Sequence, residues 1–264
     1  MDARIKIYDG NSNHPDIASS YNNLGSVYAD MGEFGKAIEY FNIALNIQQQ
    51  GSTVGLNNVD VSLSYNNLGN VYLRQGEYEK AIKYYINSLK IRQVTHESNP
   101  NHPDIASSYS NLGEVYRKKG EHDTALMHFG IALNIQSKAY ASNLRHLDIG
   151  MSYDNLGNAY ADKGDFGEAI VCYFKALEIR QEVYTSSPNH PDIASSHNDL
   201  GTTYRETGEY EEAIQHHLRA LDIRQKVYED NPNHPDIGLS YNNLGLYIWI
   251  MGNMKRLYNT TSQP

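Results

Sequence analysis

A short segment, Tyr21-Asn22-Asn23-Leu24-Gly25-Ser26-Val27-Tyr28, returns at a fixed interval along the chain, and that interval constrains the fold before any local propensity does. Its glycines, Gly25, Gly69, Gly113, Gly157, Gly201 and Gly245, stand 44 residues apart. Self-similarity at this period marks an array of supersecondary units, each covering its neighbour's apolar face, in place of one enlarged core. The 264 residues therefore read as a single array: 1–12 as the end of an incomplete preceding unit, then 13–56, 57–100, 101–144, 145–188 and 189–232 as five repeats, and 233–264 as a partial sixth with a tail.

Each unit predicts two helices. The first opens on His-Pro-Asp-Ile, as in His14-Pro15-Asp16-Ile17, with copies at 102–105, 190–193 and 234–237. Proline at the first helical position loses nothing, because that amide is unpaired in any helix, and the aspartate faces the positive end of the helix dipole. Ile17, Tyr21, Leu24, Tyr28 and Met31 then recur at steps of three or four and form one apolar stripe. Gly32, with Gly76, Gly120, Gly164, Gly208 and Gly252 after it, ends the helix in the left-handed conformation. The second helix carries Phe34, Ala37, Ile38, Phe41, Ala44 and Leu45, with small residues where another helix must come close.

The pattern Tyr21-x2-Leu24-Gly25-x2-Tyr28 followed by Ala37-x3-Phe41-x2-Ala44 resembles the tetratricopeptide repeat (TPR) signature, with tyrosine where tryptophan is usual. The standard unit has about 34 residues. The longer unit here, with His-Pro-Asp-Ile-Ala before the first helix and Asn-Asn-Leu-Gly inside it, resembles the kinesin light chain-like subclass. The resemblance covers nearly the whole chain. It implies an all-α solenoid, a right-handed superhelix of antiparallel helix pairs, whose concave groove binds peptide segments of partner proteins.

In the resembled family the groove face includes the position held here by Asn23, Asn67, Asn111, Asn155, Asp199 and Asn243. A side-chain amide both donates and accepts, which suits the backbone of an extended peptide whatever its sequence. The other reading of this row is inheritance by duplication, and the sequence leaves both open. Variable positions further along the same face include Asn70, Arg74, Glu114, Arg117, Lys118, Asn158 and Arg205, where selectivity would be written. Arg74, Arg117 and Lys118 make a basic spot suited to an acidic ligand residue; the bland alternative is solvated surface charge. The position before the asparagine row contains no lysine, so the carboxylate clamp of chaperone-tail-binding TPR domains is missing.

A net charge of −9 argues against sequence-independent attraction to nucleic acid or anionic membranes. The longest apolar run near the C-terminus, 246–251, is far too short to span a bilayer. One cysteine, Cys172, excludes an internal disulfide and favours a reducing, cytoplasmic setting. Five histidines share one repeat position (His14, His102, His146, His190, His234), too far apart for one ion to gather two of them, and His128 and His216-His217 sit two units apart. We expect no metal site and no cofactor. No P-loop, G-x-S-x-G, H-E-x-x-H or C-x-x-C is present, so the expected role is a non-catalytic scaffold or adaptor. Two other expectations remain: a recognition or regulatory segment of a larger multidomain signalling enzyme, and weak self-association through uncapped apolar ends.

Overall fold

The computed structural model describes residues 15–51 and 59–245. Expectations that fall on 1–14 and 246–264, including both array ends, lie outside the described residues. Ten helices are bounded: α1 (Pro15–Asp30), α2 (Phe34–Gly51), α3 (Val59–Arg74), α4 (Tyr78–Thr95), α5 (Pro103–Lys119), α6 (His122–Ala139), α7 (Leu147–Lys163), α8 (Phe166–Val183), α9 (Pro191–Thr207) and α10 (Tyr210–Val227). Residues 235–245 are also helical and are called α11. No strand occurs among the described residues. Successive helices pack as pairs, α1 on α2 through α9 on α10, which makes this an all-α solenoid organisation. The chain divides into two compact units, Met1–Ala139 and Tyr140–Pro264.

Within each pair the repeated glycine lies under an aromatic ring of the second helix. A Cβ on Gly113 would stand 2.6 Å from Phe129 Cε1, and one on Gly69 or Gly157 would meet Tyr85 or Tyr173 at the same distance. Phe41 covers Gly25 and His217 covers Gly201 in the same way. The glycine is thus required by close approach, and the alanines Ala37, Ala81, Ala125, Ala169 and Ala213, all fully buried, complete the narrow seam.

The helix starts show a device that the sequence reading missed. His102, His146, His190 and His234 each accept the amide hydrogen of the aspartate two residues on through Nδ1, at 3.2 Å. Histidine is the N-cap here, with Pro103 and Pro191 at the first helical position as expected. In the second unit a tyrosine stacks on each capping ring: Tyr140 on His146, Tyr184 on His190 and Tyr228 on His234, with centroids 3.5–3.7 Å apart. Each tyrosine hydroxyl also donates to the neighbouring aspartate carboxylate, as Tyr140 does to Asp148 at 2.6 Å.

The helix ends behave as anticipated. Gly120, at φ 84°, and its counterparts take the left-handed conformation, and the Glu121 amide returns to the Tyr116 carbonyl at 2.9 Å. Met31 departs from expectation. It lies just beyond α1 and is 67% exposed, because the chain has already begun to turn toward Gly32.

Buried and half-buried polar bonds join one pair to the next inside each unit. In the first, Ser64 Oγ donates to Gln48 Oε1 at 2.8 Å and accepts from Asn22 Nδ2 at 2.9 Å. One repeat later Arg92 donates to Ser108 Oγ (2.8 Å) and to the Asp104 carbonyl (2.9 Å). In the second unit Arg180 and Arg224 reach Ser196 and Ser240 at 2.5 and 2.7 Å. Such bonds satisfy groups that burial would otherwise leave costly, and they fix the register of the stack.

Candidate functional site

Inside each unit, neighbouring first helices present polar positions to a shared cleft. Two clefts open there at equivalent repeat positions, one in each unit. In the first unit Ser26, Ala29, Asp30, Phe41, Asn67, Asn70, Val71 and Arg74 enclose 120 Å³. In the second, Asn158, Ala161, Asp162, Tyr173, Asp199, Thr202, Thr203 and Glu206, with Phe166 and Asn198, enclose 490 Å³. Both have amide, hydroxyl and carboxylate walls around an aromatic floor, a lining that combines apolar burial with a few orienting polar groups.

Of the residues singled out by sequence, Asn67, Asn70 and Arg74 line the first cleft, and Asn158 and Asp199 line the second. Asn23 is exposed on α1. Glu114, Arg117, Lys118, Asn111, Asn155, Arg205 and Asn243 sit on first helices but line neither cleft. Several are already engaged. Tyr85 donates its hydroxyl hydrogen to Asn70 Oδ1 at 2.6 Å, and Tyr173 does so to Asn158 at 2.7 Å. Asn111 Nδ2 donates to Asn66 Oδ1 at 2.7 Å, and Asn243 to Asn198 at 2.8 Å, so part of the asparagine row stitches repeats together.

The basic spot is internally paired. Arg117 holds both carboxylate oxygens of Glu114 at 2.8 Å, and Lys118 lies 3.9 Å from the same group. Arg74 is 3.7 Å from Asp30 and lies over the Phe34 ring at 5.1 Å. Arg205 pairs with Glu206 at 2.7 Å.

The second cleft has the more unusual electrostatics. Burial pushes the Asp199 carboxyl up to about 6, and the nearby charge of Asp154 adds to the shift. Burial also raises Asp154, opposed by the Arg180 guanidinium, which bonds both of its carboxylate oxygens. Outside this cleft, His197 and His216 meet Nδ1 to Nδ1 at 2.9 Å, and burial lowers both, His197 to about 4. Burial likewise brings His217 down to about 4 and raises the buried Cys172 thiol to about 11, which leaves that thiol a poor nucleophile at neutral pH.

A larger hollow of 650 Å³ in the second unit is lined by Gln181, Pro188, Asn189, Ile193, His197, Arg219, Asp222, Ile223 and Lys226. It holds none of the repeat-face positions, and Lys226 is tied to Asp222 at 2.7 Å. Among the described residues one grouping could supply three ligands to a metal ion, His96, His102 and Asp104. The sequence comparison of same-position histidines left His96 out.

The sequence matches the Tetratricopeptide repeat family over residues 60–138, 104–182 and 148–226, and again over 18–50. The chain belongs to the tetratricopeptide repeat family. The TPR fold is similar to the nearly identical TPR-like repeats from Podosopora anserina, described as kinesin light chain, at 23% identity and TM-score 0.66, covering 81% of this chain and 98% of that one. It is also similar to BtubC (BKLC) from P. vanneervenii, at 23% identity and TM-score 0.71 over 88% of each chain. A Rap protein complexed with competence and sporulation factor matches at 16% identity and TM-score 0.60, over 91% of this chain and 67% of that one. No match was found among the curated proteins. The chain is thus a TPR array of the kinesin light chain-like kind in fold. Among the described residues no helix is long and apolar enough to cross a membrane.

Proposed function

We propose that this TPR array is a non-catalytic protein-interaction scaffold that holds extended peptide segments of partner proteins against its first-helix face. The observation that carries the reading is the recurrence of one cleft at equivalent positions in both units, Asn67 with Asn70 in one and Asp199 with Thr202 in the other. A peptide backbone offers a repeating donor and acceptor, and the amides, hydroxyls and carboxylates on these walls can answer both. The Rap protein structure, complexed with competence and sporulation factor, supports the binding of a partner as work this fold can do. Fold alone does not fix function, so the cleft carries the argument.

The two clefts differ in charge, and selectivity follows from that difference. An acidic ligand side chain is received at Arg74, whose partner Asp30 is 85% exposed and easily displaced. In the second unit Asp162 and Glu206 face the cleft where the first has Asp30 and Arg74, which favours a basic or neutral side chain there. The lone buried Cys172, which makes no disulfide, supports a reducing, cytoplasmic setting.

Site-specific photo-crosslinking tests the reading in cells. A photo-reactive side chain at Ser26 or Thr202 is expected to trap partner polypeptides, whereas one at the exposed Leu218 on α10 is not. Equal capture at all three positions would place binding elsewhere.

A further inference from the structure

We propose that His96, His102 and Asp104 form a binding site for a divalent transition-metal ion of the zinc type, at the turn between α4 and α5. One donor atom from each residue lies within 4.8 Å of the other two. Asp104 Oδ2 is 3.3 Å from His96 Nε2 and 3.6 Å from His102 Nδ1. Zinc–nitrogen distances of about 2.0–2.1 Å and tetrahedral angles set neighbouring ligands about 3.3 Å apart, close to the two carboxylate–imidazole distances here. Two imidazoles and a carboxylate suit zinc, cobalt and nickel, and poorly suit calcium or magnesium, which take oxygen ligands.

The site is a local break in a repeated arrangement. In the three later turns a tyrosine occupies the position of His96, stacks on the capping histidine and donates its hydroxyl to the aspartate. His96 keeps the stack, its ring centroid 3.5 Å from that of His102 and the planes 6° apart. It replaces a phenol, a poor ligand at neutral pH, with an imidazole nitrogen that binds borderline metals well.

Surroundings and access fit as well. The side chains of His96, His102 and Asp104 are 18%, 33% and 44% exposed, so an ion and a water ligand can reach them. The Arg92 guanidinium makes its hydrogen bonds to the Asp104 carbonyl and Ser108, and the Asp104 carboxylate lies against His96 and His102. Parallel stacked rings direct their lone pairs side by side, so loading fans the two rings apart toward the ion. Where His102 coordinates through Nδ1, it exchanges its bond to the Asp104 amide for the metal.

The experiment uses the full chain, free of any histidine tag and stripped of metal. Zn²⁺ is titrated by calorimetry and Co²⁺ by its visible spectrum. His96→Tyr restores the residue of the later turns, and His102→Asn installs the residue found at Asn58, itself a good N-cap, so both variants are expected to fold. Wild type is expected to bind a single equivalent, with Co²⁺ showing a low-symmetry visible band. Each variant should bind at least about tenfold more weakly, with the melting temperature of its metal-free form unchanged. Wild type that binds neither ion, or binds no more tightly than His96→Tyr, overturns the proposal and leaves His96 as a hydrogen-bonding stand-in for tyrosine.

Discussion

Asn111 donates a side-chain hydrogen to Oδ1 of Asn66 across 2.7 Å, joining the first helices of two successive repeats. The bond runs between two adjacent columns of the repeat, and the column that supplies Asn111 also supplies Asn67 and Asp199, which line the clefts. In the second unit the same two columns bring Asp199 near Asp154, and Arg180 compensates Asp154 by bonding both of its carboxylate oxygens.

Removing either asparagine removes a partly buried bond. Asn66→Ala and Asn111→Ala are each expected to cost about 0.5–1.5 kcal/mol in urea unfolding. The double variant should cost less than the sum of the two, because the shared bond is lost only once. Strict additivity would show that the contact contributes nothing.

Gly113 lies under Phe129, with no room for a methyl group between them. Gly113→Ala should therefore destabilise the array by about 1–3 kcal/mol through overpacking, although alanine is the better helix former. Gly130, with open space at its Cβ position, is the control, and its alanine variant is expected to be neutral or stabilising. Thermal melts of the two variants side by side decide the matter.

Asp199 holds its proton up to about pH 6, well above an unfolded aspartate. The folded state therefore binds protons more tightly than the unfolded chain, and ionisation at neutral pH opposes folding. Asp199→Asn, the residue at the equivalent position in the other repeats, is expected to raise stability at pH 7 by about 1–3 kcal/mol. The advantage should shrink as pH falls through 6 toward 4. A stability gain that is flat across this range would contradict the assignment.

The histidine cluster has the opposite sign. His197 and His217 are held to about 4, below the unfolded value, so they stay neutral in the fold and favour it fully above about pH 6.5. Stability is expected to fall as pH drops from 6.5 toward 4, when the unfolded chain takes up protons that the fold refuses. His217→Phe, which copies Phe41 and Phe129 at the equivalent position, should flatten this loss. A pH profile identical to wild type would show that His217 plays no part.

The repeat, the helix pairing, the left-handed glycine ends and the buried second-helix stripe were legible because each follows from one-dimensional spacing. The glycine at the repeat centre was legible as a marker, but not its cause, which is an aromatic ring from the other helix, as Phe129 over Gly113 shows. The capping role of His102 and its equivalents was hidden because histidine is an unusual cap and the Pro-Asp pair after it gave a sufficient explanation. The Arg180–Asp154 pair was missed because its members belong to different helices. His96 showed in the sequence only as one departure from a tyrosine column, a signal visible when position 96 is set against 140, 184 and 228. The cleft walls were read in part. Asn67, Asn70, Arg74, Asn158 and Asp199 line the clefts from positions that the repeat spacing marks, whereas Phe41, Tyr173 and Thr203 come from packing that spacing alone does not reveal.

The most direct test of the account is the affinity of one peptide, selected on the full chain from a random display library, measured by calorimetry against wild type, Asn67→Ala and Thr202→Arg. Asn67 and Thr202 line the two clefts, and neither is in the core. The account predicts that at least one variant binds more weakly by about tenfold or more, corresponding to about 1.4 kcal/mol, with circular dichroism and melting unchanged. Wild-type affinity in both variants would contradict it and move the binding surface away from the first-helix face.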